Sequence, residues 1–119
     1  MEVLAMACGM IVQLPAATAF GTDVDFDLRT LLEREISAAL GAHPVAECGR
    51  GEIEGGRMSV RLDAVADHAV AFRLVTGVLS RLKQLDRAVV VLETRSDSDP
   101  DDTHSQTLWP VAAPAARVA

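Results

Sequence analysis

The sequence predicts an α+β sandwich: a four-stranded antiparallel sheet with two helices on one face, in the order β-α-β-β-α-β. Three observations predict it. The stretch GEIEGGRMSVRLD, residues 51–63, reads as a β-hairpin turning at Gly55-Gly56, a pair that takes the positive φ angles of a tight turn without steric cost. A run of helical periodicity lies on each side of that hairpin. Beyond each helix lies an apolar, strand-like run.

The central hairpin has a definite register. A two-residue turn sets Glu54 opposite Arg57, Ile53 opposite Met58 and Glu52 opposite Ser59. Past the turn, Met58, Val60 and Leu62 alternate with Ser59, Arg61 and Asp63, the pattern of a strand with one buried and one wet face.

The first strand is expected over Val3 to Gln13. Its even positions (Leu4, Met6, Cys8, Met10, Val12) are larger than most of its odd ones (Val3, Ala5, Ala7, Gly9, Ile11). Apolarity on both faces marks a central strand, with the even face under the helices. The odd face carries so little bulk that either the chain's own tail or a partner subunit can approach it closely. Leu14 to Val24, with Pro15 and Gly21, reads as a connection, after which Asp25 or Asp27 offers an N-cap carboxylate. The first helix runs to about Leu40, with Leu28, Leu31, Leu32, Ile36, Ala39 and Leu40 on one stripe and Arg29, Glu33 and Arg34 toward solvent. Gly41 and Pro44 stop it.

A second strand follows over Val45 to Glu54. Gly49 and Gly51 mark a bulge, and Glu47, Arg50, Glu52 and Glu54 suit an edge that resists pairing with other sheets. The third strand is Arg57 to Asp63. The second helix starts near Ala66 or Asp67 and ends near Gln84, burying Ala71, Phe72, Val75, Val78, Leu79 and Leu82. Gly77 in its interior costs about 1 kcal/mol relative to Ala and leaves room for a close contact. Ala88 to Glu93 is the fourth strand. Right-handed crossovers around a central hairpin give strand order 4-1-3-2, a ferredoxin-like βαββαβ sandwich with strands four and two at the edges. Residues 1–95 form this domain; residues 96–119 are an acidic, then Ala/Pro-rich, tail.

Composition narrows the function classes. The net charge is −6 and aromatics are 3% of the chain, with no Tyr, which argues against both phosphate-binding surfaces and base-stacking platforms; no nucleic acid is expected. The apolar start is preceded by no Lys or Arg and has Glu at position 2, so it reads as a strand rather than a leader, and it is too short to span a bilayer. A cytoplasmic protein without membrane attachment is expected, with Cys8 and Cys48 as separate, reduced, buried thiols.

No catalytic, cofactor or metal motif stands out. The run Asp97-Ser98-Asp99-Pro100-Asp101 is like the start of a calcium loop, but Asp102 and Leu108 stand where such a loop needs Gly and Glu, so it reads as a solvated acidic loop. His43, His68 and His104 lack helical ligand spacing and a neighbouring nucleophile. Arg57, Arg61 and Glu52 read as cross-strand charge pairs on the bare face, with anion binding as the sharper alternative. The glycines at 49, 51, 55 and 56 lack the Lys and helix N-terminus of a phosphate loop. Trp109, the one Trp, is expected either to fold onto the bare sheet face or to anchor a partner.

The run FDLRTLLEREISAAL followed by GRGEIEGGRMSVRLD resembles a group of small bacterial βαββαβ proteins of poorly defined role. In these, an L-x-x-R-x-x-L-E helix leads into a Gly-rich G-E-V-D-G-G hairpin. The matching residues are Leu28 to Leu40 and Gly51 to Val60, about the middle half of the chain; the glycine turn is shorter here, and the acidic tail has no counterpart. Some small acidic proteins of this shape serve as immunity proteins against secreted toxins.

The function expected is therefore a non-enzymatic protein-binding module, dimeric, with a basic protein partner; an immunity-type inhibitor is the specific version. Asp97, Asp99, Asp101, Asp102, Trp109 and Arg61 are its candidate partner-binding residues. Two alternatives stay open: a small-molecule-binding homodimer or small enzyme using the sheet face, which requires a pocket near Arg61, and a structural subunit of a larger assembly.

Overall fold

Met10, Val12 and Leu14 of the first strand and the apolar stripes of both helices meet in one core. The computed structural model describes residues 6–96 and 103–110. Strand β1 (Met6–Pro15) is followed by helix α1 (Asp23–Ala42), the short strands β2 (Glu47–Cys48) and β3 (Glu52–Glu54), strand β4 (Arg57–Asp63), helix α2 (His68–Arg81), a 3-10 turn at Leu85–Arg87, and strands β5 (Val89–Ser96) and β6 (Thr103–Trp109). The sheet has six strands, ordered β2-β4-β1-β5-β6 with β3 also on β4, and every pairing is antiparallel. Met10, Val12 and Leu14 of β1, Met58, Val60 and Leu62 of β4, and Val90 and Leu92 of β5 face Leu32, Ile36 and Leu40 of α1 and Ala71, Val75, Val78 and Leu79 of α2.

The central hairpin has the register its sequence predicts: Glu54 opposes Arg57, Ile53 opposes Met58 and Glu52 opposes Ser59, with Gly55 at φ 61° and Gly56 at φ 79°. What differs is the sheet's extent. The four-strand expectation, with strands four and two at the edges, is replaced in two places. The expected second strand is broken at residues 49–51 into β2 and β3, because three residues there face two on β4. Beyond β5, Thr103–Trp109 adds a sixth strand from the stretch read as a tail, so β5 lies inside the sheet.

Local chemistry shifts several boundaries. Helix α1 is capped by Thr22, not by Asp25 or Asp27. The Asp25 N–H donates to Thr22 Oγ1 at 3.2 Å while Asp25 Oδ2 accepts from the Thr22 N–H at 2.9 Å, a reciprocal capping box. The helix runs through Gly41 to Ala42. Helix α2 is capped by Asp67, whose carboxylate accepts from the Val70 N–H, and stops at Arg81 rather than Gln84. There the N–H groups of Lys83 and Gln84 donate to the carbonyls of Ser80 and Leu79, a Schellman stop with Lys83 at φ 62°. Nothing lies within 4 Å of a Cβ built on Gly77, so the room it leaves for a close contact is not taken up. Among the described residues, no helix is long and apolar enough to cross a membrane.

Candidate functional site

Among the described residues, one face of the sheet carries no helix, and its centre is organised by a glycine. On β1, Gly9 pairs with Glu93 of β5, and Ile11 pairs with Arg61 of β4. Because position 9 has no side chain, Arg61 lies across β1: a Cβ there would stand 3.3 Å from Arg61 Nη2 and 3.4 Å from the Leu62 carbonyl. Arg61 thereby donates through Nη2 to Glu93 Oε1 at 2.8 Å and through Nε to Asp63 Oδ1 at 3.1 Å. The Glu93 hydrogen bond, with a smaller part from Asp63 and against partial burial, pushes the guanidinium pKa further up, so Arg61 stays charged at any ordinary pH. The low bulk of this face thus admits the chain's own arginine.

Beside this trio lies a cavity of about 150 Å³ lined by residues including Cys8, Arg61, Asp63, Glu93 and Thr103. It is smaller than the roughly 300–1,000 Å³ typical of ligand pockets, and its arginine already has two carboxylate partners. A bound anion would have to displace Asp63 or Glu93.

The other residues singled out from sequence do not gather here. Asp97, Asp99, Asp101 and Asp102 lie outside the described residues. Trp109 is on the helix-bearing side, not on the bare face: it pairs with the buried Val90, packs against the core, and its indole N–H donates to the Leu85 carbonyl at 2.8 Å. The hydrogen bond fixes the ring at the mouth of the core. Arg57 and Glu52 stand exposed on the hairpin. His43 is the C-cap of α1, His68 opens α2 and His104 is in β6, all three exposed. Among the described residues no cluster of three His, Cys, Asp or Glu could hold a metal. Cys8 and Cys48 are free thiols on β1 and β2 with β4 between them. Burial pushes the Cys48 thiol pKa up; a Ser37 hydrogen bond offsets part of this, and Glu33 and Asp63 add to it, which disfavours the nucleophilic thiolate.

Arg29 and Glu33, expected in solvent, instead hold the broken edge. Arg29 Nη1 donates to the Gly51 carbonyl at 2.8 Å, and the Gly51 N–H donates to Glu33 Oε2 at 2.6 Å. The bulge turns the N–H and the carbonyl of one residue, Gly51, toward α1, and these two side chains satisfy them.

A second surface, with no motif to mark it in the sequence, lies at the entry to α1. Phe20 is 75% exposed, Val24 75% and Phe26 44%. The chain has three Phe and one Trp, so half of its aromatic side chains face solvent within seven residues. The signal was present: Val24 and Phe26 fall on opposite flanks of the stripe that buries Leu32, Ile36 and Leu40. The entry is rigidly held. Ala16 N–H donates to the Gly56 carbonyl at 2.8 Å, Gly56 N–H donates to the Ala19 carbonyl at 3.0 Å, and Ala17 N–H donates to Asp25 Oδ2 at 2.9 Å. The Arg29 guanidinium carbon stands 5.6 Å from the Phe26 ring centre. Asp23 and Asp27 are exposed in the same segment, and Glu54 is exposed on β3 beside the Gly55-Gly56 turn that is tied to it.

No protein-family model matches the chain, and no curated protein matches it. Among solved structures, it is similar to a phage SAM lyase in the apo state at 12% identity and a TM-score of 0.43, over 92% of this chain and 96% of that one. It is also similar to a phage SAM lyase in complex with S-methyl-5′-thioadenosine at 14% identity and a TM-score of 0.40, over 92% and 97% of the two chains. At such TM-scores neither fold nor activity carries over to this chain.

Proposed function

We propose that this chain is a non-enzymatic protein-binding module that meets its partner at the entry to α1, through Phe20, Val24 and Phe26. The observation that carries the reading is the exposure of these three side chains. Single exposed aliphatics are ordinary, but large aromatics left in water in so aromatic-poor a chain are not. Fully covering one Phe is worth about 1.5–3 kcal/mol, and aromatic anchors dominate binding hot spots. The hydrogen bonds to Gly56, Ala19 and Asp25 hold the segment in place before binding, which lowers the entropy a complex must give up.

The partner's chemistry follows from the rim and the net charge. Asp23, Asp27 and Glu54 beside the apolar groups, on a chain of charge −6, suit a basic partner. An immunity-type inhibitor of a basic toxin is the specific form of this reading, in a cytoplasmic setting that keeps Cys8 and Cys48 reduced. The same reading takes β1, β2 with β3, β4 and β5 as a ferredoxin-like core to which β6 has been added.

A second reading, a small-molecule site at the Arg61 cavity, has that cavity in its favour. Its small volume and the two carboxylates already on Arg61 weigh against it.

Affinity capture from the native cell extract, using the intact chain and the F20S/F26S variant side by side, tests the proposal. A discrete basic protein held by the first, lost from the second and released as salt is raised supports it. Recovery of the same proteins by both chains overturns it.

A further inference from the structure

The two edges of the sheet are built differently. One edge is β2 and β3, two and three residues long, broken at residues 49–51 and carrying the exposed charges Glu47, Arg50, Glu52 and Glu54. Short strands, a bulge and charge are the devices by which a sheet edge avoids further pairing. The other edge, β6, is neither short nor charged, and its one bulge, at Leu108, is confined to the Trp109 end. It is seven residues long, and Thr103 to Thr107 are exposed. Among the described residues, no strand lies beyond it.

We propose that β6 is a self-association edge, pairing antiparallel with β6 of a second copy to join two sheets into one. The occupant follows from charge. A chain of net charge −6 repels its own copy, and β6 is a seven-residue stretch free of Asp, Glu, Lys and Arg. In a two-fold pairing centred on Ser105, Thr103 opposes Thr107, His104 opposes Gln106 and Ser105 meets its twin. The Thr103–Thr107 pairs are uncharged cross-strand pairs of the kind that stabilise ladders. Direction follows from the same consideration. Asp97, Asp99, Asp101 and Asp102 immediately precede β6 in the chain. Parallel pairing would bring two such runs in at the same end, whereas antiparallel pairing separates them by the length of the strand.

This inference does not rest on the partner surface proposed above. Phe20 belongs to the loop tied to the β3–β4 hairpin, at the opposite edge of the sheet, and remains open in such a dimer.

Ser105 gives the test. Within one chain it pairs with Glu93 on β5, so S105K sets a cation opposite a carboxylate and leaves the fold supported. Across the two-fold axis it sets Lys against Lys. Sedimentation equilibrium of the wild-type chain is expected to show a monomer–dimer equilibrium, and S105K to weaken it at least tenfold. Hydrogen exchange on the wild-type chain alone supplies a second reading: amides of residues 103–107 gain protection as protein concentration rises. The inference is overturned by a wild-type monomer at all accessible concentrations, by a dimer indifferent to S105K while circular dichroism shows both folded, or by β6 protection independent of concentration. The last outcome would mean that another segment of the same chain occupies the edge.

Discussion

Arg61 on β4 reaches over β1 to Glu93 on β5, Nη2 to Oε1 at 2.8 Å, and the passage exists because residue 9 has no side chain. The relationship spans three strands and ties the bare face together without covering it. Its energetic worth is bounded by exposure, since the Arg61 side chain is 44% accessible. A double-mutant cycle over R61A and E93A, read by urea unfolding, should give a coupling of about 0.2–1 kcal/mol, the range of exposed ion pairs. Gly9→Ala should cost no more than about 1 kcal/mol, because the new Cβ crowds the movable Nη2 and the Leu62 carbonyl while removing a strand glycine offsets part of that crowding. In the R61A background the cost should shrink but not vanish, since the carbonyl contact remains. An equal cost in both backgrounds would show that Arg61 is not what Gly9 accommodates.

Gly51 tests the clamp on the broken edge. A Cβ at this position would lie 2.7 Å from Glu33 Oε2 and 2.9 Å from Arg29 Cγ. Gly51→Ala should therefore lose about 1–3 kcal/mol, as overpacked sites do. In an E33A background, part of that loss should disappear. A change within about 0.5 kcal/mol, the scatter of ordinary surface substitutions, would contradict the geometry.

Asp25 predicts a pH dependence. Hydrogen bonds from the N–H of Thr22, then of Ala17, outweigh its burial and hold its carboxyl below the ordinary value of 3.8. A carboxyl depressed in the folded state stabilises the fold above its unfolded pKa, and that contribution is lost as pH falls through the lower folded value. The stability difference between wild type and D25N should be greatest near neutrality and shrink as pH drops below 3.8. Thr22→Ala should cost about 0.5–2 kcal/mol through the other half of the capping box. A wild-type to D25N difference that is flat across the acid range would remove the carboxylate from this role.

Cys48 should react slowly. In a C8S variant, leaving one thiol, iodoacetamide modification at neutral pH should lag well behind a free peptide cysteine, and its rate should rise through a midpoint above 9.0. A midpoint at or below that value would contradict the burial assigned to the thiol.

The parts of this molecule that were legible in the sequence are those written in a local period. Met58, Val60 and Leu62 alternate, and Leu32, Ile36 and Leu40 recur at helical spacing, so the core and the hairpin register followed from residue order. β6 has no such signature. THSQTLW is polar on both faces for most of its length, because an edge strand buries little, and its strand conformation comes from the ladder with β5, whose partner residues precede it in the chain and lie outside any local period. Arg29 and Glu33 sit on the polar flank of α1 as their spacing demands. What brings them work is the bulge at Gly51, which no periodicity encodes. Trp109 was visible as an isolated aromatic, but which face it takes depends on the register shift between Val90 and Val91.

Helix α2 carries two positions where its sequence departs from what its backbone prefers, and both should be improvable. Gly77 is exposed, and nothing lies within 4 Å of a Cβ placed there, so its replacement by Ala removes unfolded-state entropy without creating a clash. Lys83 occupies the left-handed position of the Schellman stop at φ 62°, where a side chain costs about 1–2 kcal/mol relative to glycine. Gly77→Ala and Lys83→Gly should each stabilise the chain by about 0.5–1 kcal/mol, read as a rise in the urea midpoint at unchanged slope. The two sites are six residues apart, about 9 Å along a helix, and share no partner, so the double variant should show the sum. Destabilisation by Gly77→Ala would mean that a neighbour does approach this face of α2, and the second copy proposed at β6 would then have a competitor for the site of self-association.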